Sequence, residues 1–320
     1  MSEAAHEWKI ADYPQSSEVT IAMRPFLHPL FQGLNAGQPF GGVSEFTFAN
    51  IYLFRRAHDY RVSILENGLL LITGRDRGRH GGGKTFFMLP LGLPEEDVIA
   101  RLFKEFSFMK AATGAQVEFL RGRGYIAEED RDNFDYLYSR SELALLPGRK
   151  FHKKKNLVNA FLGRYRCEGM PLTDDRVKDA LWILEEWRKE SLADGDYIAA
   201  KEALEKADPL QLCGGIYYVD GKPAAYALGE ELGHETFAVH FEKGLNPFKG
   251  LMQFVNMSFA EILPEHYSFV NREQDMGDDG LRQAKESYRP VGFIKKYIIT
   301  INTGRLSGQG GCLFVLEHSA

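Results

Sequence analysis

Residues 61–74 read RVSILE, Asn67-Gly68, LLLITG, and residues 214–231 read GGIYYV, Asp220-Gly221, KPAAYALGEE. A tight turn of this type between two apolar runs is a strong hairpin signal, because its central residues must take up positive φ. A third β-prone run follows each pair: TFFMLP (85–90) after the first and ETFAVHFEK (235–243) after the second. Both meanders are then followed by a longer amphipathic stretch. In the first, a helix is expected across LPEEDVIARLFKEFSFMKAATG, with Val98, Ile99, Leu102, Phe103 and Phe106 on one face and Gly114 as its stop. Strand QVEFL, an acidic helical turn at 128–132 and strand FDYLYS complete that copy. In the second, helix PFKGLMQFVNMSFAEIL, strand YSFVN, helix DDGLRQAKESY and strand GFIKKYIITI follow. The order βββαβαβ therefore occurs twice, without visible sequence identity between the copies. It predicts two related α/β domains, 1–145 and 146–303, each a mixed sheet flanked by helices, with a tail over 304–320.

One motif argues for a different class. GRHGGGKT, Gly78 to Thr85, fits the P-loop pattern G-x-x-x-x-G-K-[ST]. A P-loop needs a helix opening at its lysine, so that backbone N–H groups and the helix N-terminus face phosphate. The run after Lys84 is aromatic and β-prone and meets Pro90, so the stretch reads as a basic hairpin loop and the nucleotide-hydrolase class is set aside.

The 320 residues, 44% of them hydrophobic, are sufficient for two cores. Three cysteines, Cys167, Cys213 and Cys312, suggest neither a disulfide framework nor a cysteine-rich zinc site and fit a reducing compartment. No apolar run approaches the roughly 18 residues of a membrane span and no leader-like segment opens the chain, which points to the cytoplasm. A net charge of −5 argues against an extended nucleic-acid-binding face while leaving room for a local basic patch.

Ala284, Tyr288, Gly292 and Phe293 have the A-x-x-x-Y-x-x-x-G-F spacing of many GNAT-fold acyltransferases. Together with SEFTFANIYLF, YLYSRSELALLPGRKFHKKKNLVNAF, VHFEKG and NREQDMGDDGLRQAKESYRP, it makes the chain, to about Ile301, resemble a bacterial family of tandem GNAT-like proteins related to the catalytic part of phosphatidylglycerol lysyltransferases. The resemblance implies two tandem GNAT-like domains and transfer of an acyl or aminoacyl group to an amine or hydroxyl. Either acyl-CoA or aminoacyl-tRNA would be the donor, a small molecule or lipid headgroup the acceptor, and no metal is expected. It makes Tyr288 the candidate general acid, and Glu242, at the end of VHFEK, the candidate base. Phe248-Lys249-Gly250 is similar to the start of the fold's phosphate loop, which makes Lys249 and Gly250 the candidate cofactor residues. Met252 and Phe254 stand where later glycines belong, and this tilts the donor toward aminoacyl-tRNA.

Two polar groupings are the candidate substrate contacts. His152, Lys155, Asn156 and Asn159 share one stripe of a helix over 148–161, opposite Phe151, Val158, Phe161 and Leu162, and could hold phosphate oxygens. The bland alternative is a solvated basic face. Asn271, Arg272, Glu273 and Asp275 follow a strand, and Arg282 and Lys285 lie on the next helix, where charges of both signs can converge on a ligand or on one another. A calcium loop is rejected because Gly277 occupies the third ligand position. His240 alternates with Glu242 and is expected on the same strand face, as a packed residue. The rival to a transferase is a non-catalytic ligand-binding or regulatory protein that keeps the fold.

Overall fold

Asp220 and Gly221 both have positive φ, whereas in the first turn only Gly68 does and Asn67 does not, and the hairpins these turns close organise two seven-stranded mixed sheets. The computed structural model describes residues 9–76, 82–190 and 195–301. The tail over 304–320, Cys312 and part of the Gly78–Thr85 motif lie outside the described residues.

The first half contains β1 (Ser17–Glu18), α1 (Arg24–Ala36), α2 (Phe48–His58), β2 (Arg61–Ile64), β3 (Leu70–Asp76) and β4 (Lys84–Met88). Next come α3 (Glu96–Glu105), β5 (Phe108–Ala112), α4 (Gly114–Arg121), β6 (Tyr125–Glu129) and β7 (Asp135–Ser139). Helices α5 (Arg140–Leu145) and α6 (His152–Leu162), strand β8 (Cys167–Pro171), and helices α7 (Val177–Glu190), α8 (Tyr197–Glu205) and α9 (Ala207–Leu210) lead to the second meander. That is β9 (Cys213–Val219), β10 (Lys222–Gly233) and β11 (Thr236–Gly244), followed by α10 (Leu251–Ile262), β12 (Phe269–Asn271), α11 (Asp279–Glu286), β13 (Gly292–Ile294) and β14 (Tyr297–Ile301). Lys84 begins a strand rather than a helix, so the P-loop pattern lacks the structure that would make it one.

Several expectations need correction, among them the acidic helical turn at 128–132, since Glu128 and Glu129 belong to β6 and the short turn lies at Arg131–Asn133. The first amphipathic helix stops at Glu105, and FMKAA is strand β5. QVEFL is helical, because Thr113 and Gln116 form a capping box that starts α4. GFIKKYIITI is two strands, β13 and β14, which enter different sheets.

The last correction reveals the architecture. The first sheet runs β1-β2-β3-β4-β5-β14-β6 and the second β13-β7-β12-β11-β10-β9-β8. Each half of the chain thus gives its final strand to the other half's sheet, between equivalent neighbours. Lys296, at the crossing into β14, is fully buried and forms ion pairs with Glu45 and, at 2.6 Å, with Asp135 of β7. Ser44 donates its backbone N–H and hydroxyl to the same Asp135 carboxylate. One core layer spans the space between the sheets, contributed by α1, α2, α7 and α8 against Phe86 and Ile72 on one side and Tyr226 and Phe241 on the other. Outside it, α3 and α4 cover the first sheet, and α5, α6 and α10 cover the second.

Candidate functional site

The site begins where two parallel strands part. β11 pairs with β12 only through Thr236–Ala238 against Phe269–Asn271, and then runs on to Gly244 while β12 ends and the backbone turns away at Arg272. Just at the parting, β11 carries a bulge: Gly229 faces Val239 and Leu228 faces Phe241, so His240 is the extra residue. The bulge reverses the alternation. Val239 packs with α10 and Phe241 packs with the inter-sheet core, while Glu242 returns to the α10 side. His240 and Glu242 therefore do not share a face, contrary to the simple alternation of the sequence.

In the opening, Arg272 forms an ion pair with Glu242, and each side chain is only 13% exposed. Burial disfavours the guanidinium's charge, but Glu242 and the rings of Tyr138 and Tyr288 outweigh it and raise its pKa. Its Nη2 serves Glu242, whereas Nε and Nη1 are buried without a hydrogen-bond partner. The guanidinium carbon lies 5.3 Å from the Tyr288 ring centre and 5.7 Å from that of Tyr138. Tyr288 is 6% exposed and packs in the core cluster beneath α10, with Gln253 in the first turn of that helix beside its hydroxyl. Burial first, with Glu242 adding, pushes its pKa up to about 12, so the hydroxyl keeps its proton at neutral pH. Lys154, half-buried on α6, holds its ammonium 4.1 Å from the centre of the Tyr288 ring. Burial and then Arg272 lower its pKa.

Residues 41–300 match the family model described as phosphatidylglycerol lysyltransferase, C-terminal. The chain belongs to this family. A solved structure of a conserved protein of unknown function from Bacteroides thetaiotaomicron is 29% identical, with a TM-score of 0.77 over 90% of this chain and 99% of that one. L-PGS from Bacillus licheniformis, at 13% identity, superposes with a TM-score of 0.58 over 92% and 95% of the respective chains and shares the fold. An uncharacterised protein of Mycoplasmoides gallisepticum is 22% identical over 201 residues, 59% of this chain and 63% of that protein. The shared fold is two mixed sheets flanked by helices.

In this phosphatidylglycerol lysyltransferase-like chain, the sequence-derived site residues fall into separate groups. Tyr288, Glu242 and Arg272 come together in the opening. The rest of the 271–285 cluster is engaged within the protein. Asn271 donates to Asp135 and accepts from the Glu273 N–H. Glu273 receives a bond from Asn50 and lies 2.7 Å from His240 Nδ1, whose Nε2 lies 2.9 Å from Glu230. Burial disfavours a charged His240, but these two carboxylates outweigh it and raise its pKa to about 10. Asp275, fully buried, accepts from Tyr136, Arg131 and Arg282, and Arg282 also reaches Asp132. Despite burial, Arg282 and Tyr136 hold the Asp275 carboxyl well below the usual range. Lys285 spends its ammonium on the carbonyls of Arg272, Glu273 and Gln274, and burial with Arg272 nearby lowers its pKa to about 8. These bonds fix the turn that aims Arg272.

Lys249 is exposed and Gly250 is buried at φ +96°. A Cβ at Gly250 would lie 2.5 Å from the Leu157 carbonyl oxygen, so this glycine allows α6 to cross the start of α10. His152, Lys155, Asn156 and Asn159 lie together on the exposed face of α6, apart from the buried cluster. The residue that sequence reading passed over is Lys154. The buried positions Phe151, Val158 and Phe161 leave a gap that Lys154 fills at 3, 4, 3 spacing, and that spacing was the available signal.

Proposed function

We propose that this chain transfers an aminoacyl group from an aminoacyl-tRNA to an amine or hydroxyl, at the parting of β11 and β12. The observation that carries the reading is Arg272, whose two unpaired, buried N–H donors lie beside a carboxylate and a protonated tyrosine. Such donors suit an oxygen that gains negative charge as the ester carbonyl is attacked, because they are already fixed and dry. In the proposed step, the acceptor's lone pair forms a bond to the carbonyl carbon while Glu242 takes the acceptor's proton. The ester C–O bond then breaks, and Tyr288 protonates the leaving ribose oxygen. The proton held on Glu242 later restores Tyr288.

An aminoacyl ester is favoured over an acyl thioester by the start of α10. There α6 packs against Gly250, and Met252 reaches Gly244, leaving little room for a pyrophosphate. The exposed face of α6, with His152, Lys155, Asn156 and Asn159, supports a polyanionic donor whose phosphates meet point charges. Among the described residues no helix is long and apolar enough to cross a membrane, and a tRNA-borne donor places the reaction in the cytoplasm. The family name makes a lipid headgroup one acceptor to try. The test is to mix the protein with tRNA charged with a labelled amino-acid mixture and with lipid, peptide and small-molecule fractions. Label leaving the tRNA for one fraction supports the reading, whereas none leaving would favour a binding protein that keeps the fold.

A further inference from the structure

We infer that the parting of β11 and β12, where Arg272 and Lys154 both approach Tyr288, selects an acyl group bearing a carboxylate, such as an acidic aminoacyl group, and rejects a lysyl one. The inference rests on the aminoacyl-transfer reading and goes beyond it to the identity of the transferred group. It follows from a count of the charges that face the opening from each element around it. α6 contributes Lys154, the turn after β12 contributes Arg272, and β11 contributes Glu242. β7, α10 and the end of α11 contribute the uncharged Tyr138, Gln253 and Tyr288. Lys285 lies behind the turn with its ammonium on three carbonyls. Two cations therefore face one carboxylate, and that carboxylate is already paired with Arg272.

The surplus positive charge is not balanced within the protein. Among the described residues Lys154 has no carboxylate partner, and it rests on the Tyr288 ring close enough to Arg272 for the two to repel. Arg272 retains two buried donors whose neighbours are the faces of two tyrosines. Buried donors left unpaired cost free energy that a ligand acceptor recovers. With Arg272 Nε kept for the ester carbonyl oxygen, a ligand carboxylate would meet Lys154 and Arg272 Nη1, whereas a lysyl ammonium would enter against both. The same groups adjoin the proposed acid and base, so the anion they await belongs to the transferred group rather than to a remote handle.

The test is calorimetric titration of the full chain with α-amides that mimic the aminoacyl carbonyl: those of L-glutamate, L-aspartate, L-alanine and L-lysine. Inorganic phosphate and glycerol phosphate form a second arm. An acidic amide should bind at least about tenfold tighter than lysinamide. Lys154→Glu should reverse that order, and Lys154→Met should level it, so a folding defect in one variant leaves the other to decide. Tighter binding of lysinamide by the wild type, or an acidic preference that survives both substitutions, would overturn the inference. So would Lys154-dependent binding of the phosphates without binding of the acidic amides, since the charge would then serve an acceptor headgroup. Binding is read without turnover. Acidic-amide binding without any transfer would sink the reaction and leave the selectivity standing, and transfer confined to lysyl-tRNA would do the reverse.

Discussion

His240 is the residue at which local pattern and tertiary structure part most clearly. Read in the strand, it is one more alternating position; in the fold, it is the bulge residue that turns away from Glu242 to bridge Glu230 and Glu273. Its pKa of about 10 lies above the ordinary value of 6.5, so the folded state binds a proton that the unfolded chain releases earlier. The stabilisation is complete below about pH 6.5 and is lost as pH rises through about 10. Denaturant melts across that window should show stability falling with pH in the wild type, and this part of the slope should vanish in His240→Gln. At pH 7 that substitution should cost about 3–5 kcal/mol, because it leaves the buried Glu230 unpaired and Glu273 with only its Asn50 bond. An unchanged slope in the variant would remove His240 from the account. The motif spacing and the strand end singled out Tyr288 and Glu242 at this scale, and the fold sets both beside Arg272. Lys154 was not, because a run of three lysines reads as a solvated face until the helix is phased by its buried neighbours.

At the scale of elements, the meanders and α10 were legible because apolar alternation and helical spacing report burial directly. The boundaries that failed did so for identifiable reasons. The apolar stripe of α3 runs without interruption into FMKAA, so nothing in periodicity marks Glu105 as the end. QVEFL has strand-like composition, and only the Thr113–Gln116 cap explains why it winds. Gly250 shows the reverse case, a glycine read as part of a phosphate loop that instead admits another helix of the same chain. Gly250→Ala must both hold a side chain at positive φ and push a Cβ against the Leu157 carbonyl. It should destabilise the protein by about 2–4 kcal/mol. It should also move α6 and with it Lys154, which chemical denaturation and a ligand titration would read together. A neutral substitution would mean that α6 does not cross α10 this closely.

Across the whole molecule, the exchange of β7 and β14 decides how the two halves depend on each other. The repeat of element order was visible in sequence, but the exchange was not, because a strand's periodicity says which residues are buried and not which sheet receives them. The buried Lys296–Asp135–Glu45 cluster ties both crossings, and the inter-sheet core belongs to neither half alone. Fragments 1–145 and 146–320 should each lack a cooperative melt when made separately, and should recover one when refolded together. Two independent transitions in the intact chain, or one folded fragment alone, would contradict this dependence. The central claim, that the opening beside β11 performs aminoacyl transfer with Tyr288 as acid, belongs to this scale too, because the opening draws on six elements of both halves. It is tested most directly by the single-turnover rate at which charged tRNA gives up its label to the identified acceptor, in the wild type and in Tyr288→Phe. The account predicts an unchanged melting curve and a rate lower by about 10²–10⁴ in the variant; equal rates in the two proteins would contradict it.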